Sequence, residues 1–283
     1  LPPQANNLES LRRDILDLYR SWGYELVITP LIEFLDSLNI VPSKDLQLET
    51  FKVIDQLSGR TMGVRADITS QVARIDAHVM KKNTPNRLCY ADSVLRTKPS
   101  AMLGSRSPYR IGAELYGHSG KDSDLEIIFL MLETLKLAEV EHTQLALGHV
   151  GIYRSLITHA ELDTEEERKL FAAFQSKSVK DIDDLLVNFK NNDGLLKMLK
   201  ALPKLSGDES ILDTAEQVLS KAPGSVKKDI AQLRLLSKAL KARYPQQPLY
   251  FDLSEIRGYE YHTGLVFAAY APGSGSSIAK GGR

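Results

Sequence analysis

The chain has 283 residues, enough for one large domain or two of ordinary size. Its 36 basic residues balance 36 acidic ones, which removes any global electrostatic argument for a nucleic-acid or anionic-membrane partner. The single cysteine, Cys89, sits in an apolar run as a core residue and cannot form an internal disulfide, which predicts a cytoplasmic protein. No apolar run is long enough to span a membrane, and Leu1-Pro2-Pro3-Gln4 does not read as a signal peptide.

Asn7 is the expected N-cap of a first amphipathic helix, with Leu8, Leu11, Ile15, Leu18, Tyr19 and Trp22 at three-to-four spacing and Gly23 as its stop. The β-branched run from Tyr24 to Pro30 closes on a proline and predicts an edge or interface strand, so this helix and strand form a candidate dimerisation element; an ordinary surface strand is the plain alternative. Phe51 to Asp55 and Thr61 to Arg65 flank Ser58-Gly59-Arg60 as a hairpin. At its exit Arg65, Asp67 and Thr69 alternate. A carboxylate beside a hydroxyl at a strand end suits an ammonium group, and capping of the following helix is the other use of the same pair.

Strands are predicted at Arg87 to Ala91, Ser93 to Arg96 and Tyr109 to Gly117, with a turn-rich connection from Lys98 to Pro108. Arg96, Arg106 and Arg110 crowd this unit, a sensible place to receive an anion, although Arg106 could equally be a solvated surface residue. Alternation puts Arg110, Gly112 and Glu114 on one face, and Glu114, among apolar neighbours, requires a partner from the protein or a ligand. A helix with Leu125, Ile128, Phe129, Leu132 and Leu135 as its apolar stripe follows, and then a strand from Gln144 to His149.

From Glu161 to Pro245 every periodic segment is helical, which predicts an inserted helical subdomain. Its 14 acidic and 15 basic residues argue against a phosphate-backbone surface. The strand pattern resumes at Pro248 to Leu253, and Gly273 to Ser277 reads as a flexible turn. Between them, Ile256 to Phe267 packs Arg257, Tyr259, Tyr261 and His262 with two turn glycines ahead of a buried strand; half-buried packing is the plain alternative for its rings.

Asp67, Thr69 and Glu114 thus supply acceptors, Arg96, Arg110 and Arg257 supply anion-binding forks, and Tyr261 and His262 supply ring contacts, an inventory that matches a free amino acid. The six histidines show no paired spacing, and no Cys/His framework, phosphate-binding loop, dinucleotide fingerprint or nucleophile beside a base is present. The sequence therefore predicts no metal, no cofactor and no catalytic residue.

These residues carry a resemblance to the catalytic core of class II aminoacyl-tRNA synthetases, the histidyl enzymes in particular, over nearly the whole chain. Ser21 to Pro30 resembles the first, dimer-forming motif. Arg65-Ala66-Asp67-Ile68-Thr69 is similar to the family's Arg-Pro-Glu-Gly-Thr, and Val94-Leu95-Arg96 with Tyr109 to Gly117 resembles the second motif, Glu114 falling on the histidine-binding glutamate. Arg257-Gly258-Tyr259-Glu260-Tyr261-His262 resembles the histidyl signature Arg-Gly-Leu-Asp-Tyr-Tyr. The departures are Lys98 where a synthetase has an ATP-binding glutamate, Arg110 in place of a glutamine, the shorter Asp67, and His262 for the second tyrosine. The third motif and an anticodon-binding domain have no counterpart before Gly282-Arg283.

A histidine-binding core poorly fitted for adenylation resembles the regulatory subunits of ATP phosphoribosyltransferase, as do Leu11-Arg12-Arg13 and Ser21 to Val27. The resemblance implies an α+β fold, a class II synthetase-like antiparallel sheet flanked by helices. Residues 1–155 would form the first part of the core, 156–245 the helical insertion, and 246–283 the core completion. It implies a non-catalytic protein of histidine biosynthesis that dimerises through the first-motif region, activates the short-form catalytic phosphoribosyltransferase subunit and transmits feedback inhibition by L-histidine. On this reading Asp67, Thr69 and Glu114 hold the amino group and polar ring atoms of histidine, Arg110 and Arg257 its carboxylate, and Tyr261 with His262 the imidazole, while Arg96 serves an anion or is a relic. An active histidyl-tRNA synthetase fragment and a histidine sensor for another enzyme are the alternatives.

Overall fold

The computed structural model describes residues 1–38, 44–99, 104–160, 162–187, 193–256, 258–259 and 261–283, without the side chains of residues 44, 45 and 193. The chain divides into two units, Leu1–Glu141 and His142–Arg283.

The first unit opens with helix α1 (Pro2–Ser21). It begins at Pro2, not after Asn7, because a proline in the first turn gives up an N–H that no helical acceptor would have used. Its apolar stripe buries Ile15 and Tyr19 against Tyr24, Cys89 and Leu130, and Gly23 at φ +84° ends it as expected. Strand β1 (Glu25–Leu26) is short and pairs in parallel with the edge of a later strand. The expected run to Pro30 stops early because the Thr29 carbonyl and hydroxyl are both taken by the Arg65 guanidinium. Strand β2 (Ile32–Phe34), helices α2 (Leu35–Leu38) and α3 (Lys44–Glu49), and the hairpin β3 (Phe51–Ile54) and β4 (Thr61–Val64) follow, and the three strands make an antiparallel sheet in the order β2-β4-β3.

Helix α4 (Thr69–Ile75) leads to β5 (Asn86–Ser93), which pairs along its full length with β6 (Tyr109–Tyr116). Ser93 to Arg96 does not form a separate strand. Beyond Ser93 the amides of Val94, Leu95, Arg96 and Thr97 bond in turn to the carbonyls of Pro108, Arg65, Arg106 and Glu49, so the chain threads between two neighbours and joins neither ladder. Ile68 and Val72 of the α4 region pack on Leu88 and Val94 in a second core cluster. Helix α5 (Lys121–Leu137) closes the unit, burying Ile128, Leu132 and Leu135 of the predicted stripe together with Leu130, which was not in it, while Leu125 and Phe129 stay half-buried.

In the second unit β7 (Gln144–His149) runs directly into α6 (Val150–Ala160). Helix α7 (Thr164–Gln175) starts at a capping box, the Asp163 carboxylate accepting from the amides of Glu165 and Glu166 while Glu166 accepts from Asp163 N. Then come α8 (Val179–Val187), α9 (Asp193–Ala201), the short strand β8 (Ser206–Gly207), α10 (Ile211–Val218) and α11 (Gly224–Arg243), the last burying Val226, Ile230, Leu233, Leu236 and Leu240. After β9 (Leu249–Asp252), β10 (Leu265–Tyr270) and β11 (Ala279–Gly282) complete a sheet ordered β11-β10-β7-β9-β8, so helices α6 to α11 stand in sequence between two strands of one sheet. Two pairings, β1 with β5 and β7 with β9, are parallel; the other ladders are antiparallel. Strand β11 was not expected in so glycine-rich a segment. Gly281 is required there because a Cβ would overlap the Phe267 ring. No helix among the described residues is long and apolar enough to cross a membrane.

Arg65 ties three segments of the first unit together. It is 2% exposed, and it donates to Ser93 O at 2.9 Å, Thr29 O at 2.7 Å and Thr29 Oγ1 at 2.9 Å while pairing with the Asp92 carboxylate at 2.7 Å. Removing it strands acceptors that its packing shields from water, so Arg65→Met is expected to lower stability to urea by about 3 kcal/mol. Arg106→Met, at an exposed position, is expected to leave the urea midpoint nearly unchanged.

Candidate ligand-binding site

In the first unit the site is built from the exit of β4, the start of α4 and the β5–β6 pair. Thr69 is the first residue of α4 and does not cap it; the cap position is Ile68 and makes no side-chain bond. Instead the Asp67 carboxylate accepts from Thr69 N at 2.9 Å, which frees the Thr69 hydroxyl to donate to the Glu114 carboxylate at 2.9 Å. Tyr90 Oη lies 3.2 Å from the same hydroxyl. Tyr90 stands opposite Gly112 in the β5–β6 register, and any Cβ at Gly112 would overlap the Tyr90 ring. The glycine between Arg110 and Glu114 is therefore what lets the tyrosine lie across β6. Asp67, Thr69 and Glu114 are thus brought together as expected, and Tyr90 joins them. Sequence reading placed Tyr90 only in an apolar run; its signal was its alternation on β5 relative to a glycine on the facing strand.

The three arginines that crowd this strand-loop-strand unit, of which Arg96 and Arg110 belong to the expected site, behave differently. Arg96 donates to Ala66 O at 3.1 Å and pairs with Glu49 at 3.3 Å, with Asp67 3.8 Å away, so the protein itself answers its charge. Arg106 is exposed and lies over the Phe51 ring with its Nε on Arg96 O. Arg110 is half-buried, and its Nε is buried with no hydrogen-bond partner among the described residues. Lys98 is exposed.

Burial, and then the charge of Asp67, raise the Glu114 carboxyl to about 7, against the opposing pull of the Thr69 hydrogen bond. Burial first, then Glu114 and Asp67, push the Tyr90 phenol well above its ordinary value. The sign for Glu114 follows from proton counting. Between the ordinary 4.5 and about 7 the folded chain holds a proton the unfolded chain has lost, so this group's contribution to stability falls as pH rises through that window.

In the second unit Tyr261 and His262 lie on a tight turn before β10. Arg257 and Glu260 are outside the described residues. Gly258 has φ +74°, and its carbonyl accepts from Tyr261 N at 2.8 Å and His262 N at 2.6 Å. The His262 ring is wedged between Gly258 and Gly282, since a Cβ on either would collide with it. Its pKa is lowered by burial first and the Lys280 charge second, with the Arg283 backbone offsetting part of the shift, which favours the neutral ring. Tyr261 stands edge-on to His262 with ring centroids 5.1 Å apart and is 41% exposed. Among the described residues no group of three His, Cys, Asp or Glu could hold a metal ion.

A family model described as histidyl-tRNA synthetase matches residues 1–283. The ATP phosphoribosyltransferase regulatory subunit of Stutzerimonas stutzeri is 54% identical over the whole chain, which spans 71% of that protein's length. The subunit of the same name from Ectopseudomonas mendocina (strain ymp) is 52% identical with the same coverage. Among solved structures, an ATP phosphoribosyltransferase regulatory subunit/histidyl-tRNA synthetase from Bacillus halodurans is 26% identical with a TM-score of 0.87, over 100% of this chain and 73% of that one. The α+β architecture is accordingly that of a class II synthetase core, and the chain belongs to the ATP phosphoribosyltransferase regulatory subunits of the histidyl-tRNA synthetase family.

Proposed function

We propose that this chain reads free L-histidine for the enzyme it regulates. It is a regulatory, non-catalytic subunit of ATP phosphoribosyltransferase and serves histidine biosynthesis. Its partner is the catalytic subunit, which we take to be the short form, activated by this chain and inhibited through it when histidine accumulates. A cytoplasmic setting fits the single buried Cys89.

One observation carries the histidine reading: on one face of β6 a guanidinium nitrogen at Arg110 with no partner among the described residues, and a Glu114 carboxyl that burial raises to about 7, flank Gly112 and the overlying Tyr90. Both ends are electrostatically unfinished. A ligand carboxylate would complete Arg110, and a ligand ammonium, with Asp67 and Thr69 beside it, would favour the ionised form of Glu114. A zwitterion supplies both groups at once. For the second unit, Arg257, Tyr261 and His262 enter the proposal through their likeness to the histidyl signature. Lys98 and the Glu49-paired Arg96 support the absence of adenylation, because one puts a cation where a synthetase has an ATP-binding glutamate and the other is already neutralised.

Calorimetric titration of the purified chain with L-histidine is expected to show binding, weakened about tenfold or more by Glu114→Gln and by Arg110→Met. Unchanged affinity in both variants would sink this site. Adding ATP and magnesium is expected to yield no pyrophosphate exchange, and exchange would establish a working synthetase instead.

Because Glu114 titrates near 7, cation binding at pH 7 is expected to release about half a proton. The measurement is calorimetry in two buffers of different ionisation enthalpy. Glu114→Gln should abolish the difference, and an equal difference in that variant would assign the proton elsewhere.

We also propose self-association through the first-motif region. Strand β1 is an edge, and Leu26 within it and Ile28 two residues beyond it are 45% and 79% exposed. Sedimentation is expected to show a dimer that Ile28→Asp shifts towards monomer; an unshifted dimer would place the interface elsewhere.

A further inference from the structure

The Gly258–His262 turn is gripped by helices α6 and α7. Arg154 of α6 donates through one Nη2 to the carbonyls of Tyr259 at 2.7 Å and His262 at 3.0 Å, and its guanidinium carbon lies 4.6 Å from the centre of the Tyr259 ring. Tyr259 stands edge-on to Tyr153 of α6, with centroids 5.6 Å apart at 83°, and tilts against Phe171 of α7 at 5.4 Å. Tyr153, fully buried, packs edge-on to Phe174 of α7 at 4.9 Å.

Among the described residues, the turn's own backbone bonds come from three amides. The amides of Tyr259, Tyr261 and His262 bond back to Ile256 and Gly258, which leaves the carbonyls at Tyr259 and His262 to be answered from outside. Arg154 answers both with one nitrogen, so it sets their separation and with it the presentation of Tyr261 between them. The planar face that stacks on Tyr259 and the in-plane donors are properties of a guanidinium that an ammonium lacks.

We propose that Arg154 is a positioning residue. It holds the turn that presents Tyr261 and His262 and, with Tyr153 and Phe171, couples that turn to the packing of α7 on α6. The consequence for regulation, that histidine at the turn is felt by the helical segment, rests on the histidine reading above; the coupling itself does not.

Hydrogen exchange on the full chain tests it, in the wild type, Arg154→Met, Arg154→Lys and Phe171→Leu. Amides of residues 258–264 are expected to exchange about tenfold faster in Arg154→Met, less so in Arg154→Lys, and several-fold faster in Phe171→Leu, with β7 and α11 unchanged. Turn protection within about twofold of wild type in Arg154→Met would overturn the proposal. So would loss of protection throughout α6 and β7, which would make Arg154 a general packing residue. L-histidine added to the same samples separates this inference from the functional reading. If the wild type binds no histidine, that reading fails while the exchange rates of the free protein still decide the clamp. Equal histidine affinity in wild type and Arg154→Met, with the turn exchanging faster in the variant, would overturn the consequence for regulation and leave the clamp standing.

Discussion

The guanidinium of Arg65 bonds at once to the carbonyl and hydroxyl of Thr29, the carbonyl of Ser93 and the carboxylate of Asp92. Three segments that are distant in sequence, the end of the β1 run, the exit of β4 and the end of β5, therefore meet on one side chain. Asp67 and Thr69 follow Arg65 directly, so their approach to Glu114 on β6 depends on it. A buried cation is costly unless its donors are used, and here the fork finds four acceptors. The same polar seam runs on through Thr29 to Gln71 and from Gln71 to Glu33, which pairs with Arg74. This seam fixes α4 against the strands, and the geometry of the ligand face inherits its rigidity.

On that face the polar groups are incompletely satisfied, in contrast to the seam behind it. Glu114 accepts from Thr69 yet still keeps a raised pKa, because one neutral hydroxyl does not compensate burial beside the charge of Asp67. Under the reading proposed above, a bound cation would displace the part of a proton that this raised pKa retains near pH 7. A regulatory ligand must bind two states of an assembly with different affinity. A cluster whose protonation changes when the ligand arrives is one physical source of such a difference, and it needs no nucleophile.

Much of this was legible in the sequence because it depends on short periods. The two-residue repeat of β6 put Arg110, Gly112 and Glu114 on one face, and the helical periodicity between Glu161 and Pro245 marked the run of helices that ends in α11. The glycine at 258 announced a turn, and the turn is there. What was illegible depends on partners remote in the chain. The break after Ser93 follows from four amides finding four separate acceptors, β11 from the fit of Gly281 against Phe267, and the place of Tyr90 from the facing strand. The start of α1 was misjudged because Asn7 is a favourable cap in isolation, whereas Pro2 already opens the helix.

The arginines make the distinction sharpest. In the sequence Arg65, Arg96 and Arg110 are equivalent, each a fork at or near a strand end. Hydrogen-bond accounting separates them: Arg65 is answered in full, Arg96 by Glu49 and the Ala66 carbonyl, and Arg110 Nε by nothing among the described residues. A synthetase core needs its second-motif arginine available for a nucleotide. Here that arginine is tied to Glu49 and the Ala66 carbonyl, while Arg110, where the enzymes' pattern has a glutamine, keeps a buried Nε with no hydrogen-bond partner among the described residues. Under the histidine reading proposed above, that nitrogen is where a ligand carboxylate would bind, and the face would serve one small zwitterion in place of two substrates.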